Sequence, residues 1–136
     1  MTDELYETLN QPKWIKREID VTKARMEKLR VMMLPGAIRY DKDSVQSTPK
    51  DPMLEFAEQL DSLDHKLKKQ QADFEIACQE VKDLLSGLHK QEYEMVLTLR
   101  YIDCLSHKDI AHIMGYSVNH IYKLQSKAIK KVDRFG

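Results

Sequence analysis

The chain has 136 residues, with 22 Lys and Arg set against 22 Asp and Glu, and a mean hydropathy of -0.57. No apolar run approaches the roughly 18 residues that a membrane span needs, and 42% apolar residues is too many for a wholly disordered chain. Cys78 and Cys104 stand far apart with no CxxC, which gives neither a disulfide framework nor a zinc site.

The beginning, MTDELYETLN, lacks the basic-then-apolar layout of a signal peptide, so residence in the cytosol is the expectation. With only 4 Gly and 4 Pro, long uninterrupted elements are expected. The neutral balance is uneven along the chain. Residues 13–39 carry eight basic against three acidic side chains, net +5, and residues 51–88 carry four against nine, net -5. Residues 105–136 carry six against two, net +4. Such blocks suggest that the first two segments face each other and that the last meets an anionic partner, although solvated faces explain the first two equally well.

From Lys13 to Leu34, the residues Ile15, Ile19, Thr22, Met26, Leu29 and Met33 step by 4 and 3, the spacing of one helix face. Pro12 suits the first turn of that helix, and Pro35-Gly36 stops it. Residues 35–52 are rich in Pro and Ser and read as a loop. Asp51-Pro52 then opens a second helix as N-cap and first-turn proline. Met53, Phe56, Leu60, Leu63, Leu67, Gln70, Phe74, Ala77, Val81 and Leu84 form its seam without a slip, and Gln70, the one polar member, is expected to fix register. At 1.5 Å per residue the second helix is roughly 50 Å long and the first roughly 30 Å, so one end of an antiparallel hairpin would be uncovered. Ser86-Gly87 breaks the pattern. Tyr93, Val96, Leu97 and Leu99 or Arg100, with Tyr101, predict a third helix ending near Asp103.

Ser106 is an N-cap with Asp109 three residues on. The helix it opens, His107 to Met114, turns Ile110, Ala111 and Met114 inward. Gly115 ends it where a left-handed residue is needed. Ser117 caps the next helix, Val118 to about Val132, with Ile121, Leu124, Ala128 or Ile129, and Val132 inward. A helix, a three-residue glycine turn and a second helix with polar N-terminal residues make the helix-turn-helix layout, whose second helix enters the major groove of DNA. Ala111 lets the helices approach, and the basic tail lies where phosphates would run. A plain helical hairpin with a soluble face is the competing explanation, but the full combination is far more specific than one cap or turn.

Residues 90–132 resemble the fourth region of bacterial sigma factors. The matching pieces are Arg100-Tyr101, Asp109 to Ala111, Gly115 to Ser117, and Lys127 to Val132. Over residues 13–132, strongly only in the last third, the chain is similar to phage regulators of the ArpU and RinA type. That resemblance implies a phage or prophage activator of late genes. The sigma recognition helix begins with an Arg-Glu-Arg-like trio, whereas this one has Val118-Asn119-His120, so the usual sigma target does not carry over.

The expected architecture is therefore all-α: a long helical hairpin, a coiled-coil-like arm for oligomerisation at 1–86, and a sigma region 4-like helix-turn-helix domain at 87–136. The expected partners are double-stranded DNA, a second copy in a homodimer, and RNA polymerase. Asn119 is suited to adenine, Lys123 to guanine and Val118 to a thymine methyl. His120 is placed with these base-edge residues, though an exposed histidine without a role fits as well. Lys108, Ser117, Tyr122, Lys127, Lys130 and Lys131 are assigned to phosphates. No cofactor, metal or enzymatic activity is expected. His107 and His112 are five apart with no further ligands, and no nucleophile is paired with a base. The rival is a protein-docking module that binds RNA polymerase or another host protein through the arm and keeps the helix-turn-helix as scaffold.

Overall fold

A computed structural model describes residues 2–36 and 51–135. The expected loop at 35–52 falls mostly on 37–50, outside the described residues. The fold is all-α, with no strand among the described residues. Its elements are α1 (Asp3–Met32), α2 (Pro52–Leu85), α3 (Gln91–Leu97) with a π-helical turn (Thr98–Ile102), α4 (His107–Met114) and α5 (Val118–Phe135). None of the described helices is long and apolar enough to cross a membrane.

One expectation needs correction. Pro12 does not open the first helix but lies inside α1, which begins at Asp3. The apolar spacing continues upstream through Leu5 and Leu9, both buried, and the Pro12 ring is itself fully buried. Proline removes the N–H that would bond the Thr8 carbonyl, a penalty of about 3 kcal/mol in an isolated helix. Burial of Leu5, Leu9 and Pro12 opposes it, at roughly 1.5–3 kcal/mol for each large apolar side chain. With 30 residues α1 is about 45 Å long, so it is much closer in length to α2 than the sequence suggested.

The chain separates into two compact units, 17–72 and a second formed by 1–16 with 73–136. This is a different division from one at Ser86-Gly87. The helices of the arm pass through both units, because Leu5, Leu9, Val81 and Leu85 share a core with Val96, Leu97, Ile110 and Ile121.

In the 17–72 unit α1 and α2 run antiparallel. Arg17 and Glu18 line one groove with Lys66 and Gln70, while Leu29 and Met32 line another with Phe56 and Leu63. Ile19, Thr22, Met26 and Leu29 are buried, as the 3–4 spacing requires. Asp51 caps α2, its Oδ1 accepting from the Met53 N–H at 3.0 Å. In the other unit the seam of α2 drifts: Leu85 is buried, and Leu84 is only half-buried against the same core. α2 stops at Leu85, and the Ser86 hydroxyl donates to the Asp83 carbonyl at 2.6 Å.

Candidate nucleic-acid interface

The third helix does not run straight to Asp103. After Leu97 it widens into the π-helical turn, closed by a bond from the Asp103 N–H to the Thr98 carbonyl at 3.1 Å. Cys104 then takes a left-handed φ of 57°, which allows the Leu105 N–H to reach back to the Leu99 carbonyl at 3.0 Å. A non-glycine residue there costs about 1–2 kcal/mol. Arg100 offsets part of that cost by donating from Nη1 to the Leu105 carbonyl at 2.8 Å. The arginine of the Arg-Tyr pair is thus a clamp on the connection into α4.

Ser106 begins α4 as expected, its hydroxyl accepting from the Asp109 N–H at 3.1 Å. Ile110 and Ala111 are buried, and Met114 packs half-buried on the core. Gly115 has φ 74° and ψ 29°, and its N–H returns to the Ala111 carbonyl. Ser117 caps α5 by accepting from the His120 N–H at 3.2 Å. The two short elements therefore meet through a left-handed turn with both helix starts capped, which fixes the direction in which α5 leaves.

On α5, Ile121, Leu124, Ala128 and Val132 are buried. At about 3.6 residues per turn, Asn119, Lys123, Ser126 and Lys130 form the opposite stripe, with Lys127 beside it. All five are exposed. Asn119 and Lys130 are separated by roughly 16 Å along the axis, so the polar and basic ends of the stripe are distinct. Val118 and His120 flank the stripe near its start and Tyr122 flanks it further on, whereas Lys131 lies toward the buried side of the helix, lining a pocket with Leu88, His89, Lys90 and Tyr93. Val118 is exposed at 39% and Tyr122 at 53%. Ser117, on the turn, and Lys108, on α4, are exposed as well. Residues 118–132 hold Lys123, Lys127, Lys130 and Lys131 and no carboxylate, so their field favours an anion. The 78–132 segment matches a known family. Its family model is described as Sigma-70, region 4. The matched residues are less than half of the chain and begin inside α2. They take in the end of that helix together with α3, the π-helical turn, α4 and α5. No curated protein and no solved structure matches the chain. A Sigma-70 region 4-like domain fits a DNA-binding regulatory role, and the exposed basic stripe agrees with it.

Sequence reasoning missed several side chains around this stripe. Ser126 lies within it. The ring of His107 stacks on that of Tyr122, with centroids 4.0 Å apart and planes 16° apart. His107 Nε2 donates to Gln125 Oε1 at 2.6 Å, and Gln125 Nε2 donates to the Tyr101 hydroxyl oxygen at 3.1 Å. Burial pushes the Tyr101 phenol pKa upward. On the other flank the Tyr116 hydroxyl donates to Glu92 Oε1 at 2.6 Å, a bond that uses the proton and so raises the phenol pKa. The His120 ring meets Tyr116 edge-on at 4.5 Å. Among the described residues no cluster of three or more His, Cys, Asp or Glu side chains could hold a metal ion.

Proposed function

We propose that the protein is a sequence-specific transcription regulator that reads the major groove of double-stranded DNA with the helix at 118–132. One observation carries this reading: a capped, glycine-turned α4–α5 pair presents an outward stripe that includes Asn119, Lys123 and Lys130, with Lys127 beside it, opposite the buried Ile121, Leu124, Ala128 and Val132. In this reading Val118, Asn119, His120 and Lys123 meet base edges. Lys108, Ser117, Tyr122, Lys127, Lys130 and Lys131 meet phosphates and hold the helix in register. The similarity to ArpU- and RinA-type regulators supports a phage or prophage late-gene activator. A homodimer is part of the proposal, because one such unit spans few base pairs and twofold pairing doubles the site.

A second reading, a protein-docking arm that engages RNA polymerase, draws on the 17–72 unit. Leu29, Met32, Phe56 and Leu63 line an open groove of about 510 Å³ there. Salt separates the two. Binding to DNA from around the protein's own gene should weaken steeply with salt, because each neutralised phosphate releases counterions. No binding at low salt would remove the DNA reading and leave the docking one.

A further inference from the structure

We infer that His107 is a positioning residue for DNA binding, acting through Tyr122; this rests on the DNA-reading role proposed above. His107 is the first residue of α4 and is half-buried, while Tyr122 on α5 is 53% exposed. Their rings lie face to face, 4.0 Å between centroids and 16° between planes. A tyrosine on an open helix flank ordinarily samples several χ1 rotamers and loses that freedom on binding. Here one face of the ring is already covered. His107 is in turn held by its Nε2 bond to Gln125 Oε1, and Gln125 by its bond to the buried Tyr101 hydroxyl.

The links therefore run from the core at Tyr101, through α5 and the start of α4, to a half-exposed phenol beside Lys123. The imidazole is not a base reader itself. It sets one position for the Tyr122 hydroxyl, which donates to a phosphate oxygen and so orients the first turns of α5 on the backbone.

The test is a double-mutant cycle on DNA affinity in the full chain, with the thermal midpoint followed in parallel. Wild type is measured first. His107→Ala should weaken binding about threefold to tenfold, as Tyr122→Ala should, and the pair together no more than either alone, since one contact is lost in each case. Tyr122→Phe, which keeps the stack and loses only the hydroxyl, should weaken binding by a similar factor. His107→Phe should restore affinity to within about twofold of wild type, because a ring again covers Tyr122. Effects of His107→Ala and Tyr122→Ala that multiply would overturn the inference, as would wild-type affinity in Tyr122→Phe. Should His107→Ala fail to fold, His107→Gln takes its place in the cycle: it can still donate toward Gln125 but lays no ring on Tyr122, so it should weaken binding by the same factor, and wild-type affinity in it would overturn the inference. Failure of the wild type to bind any DNA would bring down the DNA reading and this inference with it, whereas wild-type binding with multiplying effects removes the inference alone.

Discussion

Thr22 and Gln70, the two buried polar side chains among the described residues, meet each other: the Thr22 hydroxyl donates to Gln70 Oε1 at 2.8 Å. The Glu18 carbonyl lies 3.1 Å from the same hydroxyl. A pair of this kind holds α1 and α2 in one register, because a shift by a single turn would leave both polar groups against apolar seam residues. Thr22→Val should therefore cost about 1–3 kcal/mol, the penalty for a buried acceptor left without its donor. Thr22→Val combined with Gln70→Leu should recover most of that loss. Urea unfolding of the two variants measures both, and a double variant no more stable than the single one would refute the account.

That register was legible in the sequence because the 3–4 spacing of α2 runs unbroken through Gln70, and Thr22 fills the corresponding gap in α1. The caps at Asp51, Ser106 and Ser117 and the turn at Gly115 were legible for the same kind of reason. Each is a residue type whose local chemistry specifies a backbone conformation. The start of α1 was not, since proline at a first turn and proline inside a packed helix look alike until the burial of Leu5 and Leu9 is known. Nor was the π-helical turn. Thr98 to Ile102 has no local sequence marker, and the left-handed Cys104 is held by Arg100 from the preceding turn. The His107–Tyr122 stack depends on how α4 and α5 cross, which spacing along one helix does not encode.

Gly115→Ala tests the turn between α4 and α5. An added Cβ would meet nothing within 4 Å, so the penalty comes from φ 74° alone. A loss of about 1–2 kcal/mol is expected in a thermal melt. The folded variant should keep wild-type DNA affinity, because the turn has space for the methyl group. A larger loss, or selective loss of DNA binding, would mean that the turn shifts.

Alkaline pH should destabilise the fold. Burial is the main reason that the Cys78 and Cys104 thiols and the Tyr101 phenol sit above their ordinary pKa values of 9.0 for thiols and 10.0 for phenol. The native state thus keeps these protons more tightly than the unfolded chain does. Their contribution is whole below the unfolded values and is lost as pH rises through the higher folded ones. The thermal midpoint should fall from about pH 9 upward on this account. Tyr101→Phe should reduce the part of the fall above about pH 10 while costing about 1 kcal/mol at neutral pH through the lost Gln125 bond. An unchanged alkaline slope in that variant would show that Tyr101 carries none of it.

The proposed homodimer is open to direct measurement. Leu60 and Leu67 are half-buried on the seam of α2. Replacing both by Asp should disturb the packing of the arm and abolish any dimer formed through it, as sedimentation would report. A monomeric mass for the wild type at micromolar concentration would end the dimer proposal whatever the variant does.

The two classes of contact assigned to α5 should fail differently. Asn119 lies on the outward stripe in the first turn, where the proposal puts the base edges, whereas Lys127 lies two turns further on. Asn119→Ala should cost about 1–3 kcal/mol on the preferred site and little on random DNA, because loss of a two-point bond to a base removes discrimination. Lys127→Ala should weaken both targets alike and lower the salt slope by about one unit, since one fewer phosphate is neutralised. Neither side chain belongs to the buried stripe of Ile121, Leu124, Ala128 and Val132. Both variants should therefore melt within about 0.5 kcal/mol of wild type, which makes the affinity changes readable as contact losses. Titrations of each variant against the preferred site and random DNA, at three salt concentrations, separate the two roles. If Asn119→Ala bound the preferred site as tightly as wild type, the reading face would lie elsewhere on α5. If Lys127→Ala lost affinity only for the preferred site, that lysine would be reading bases rather than phosphate.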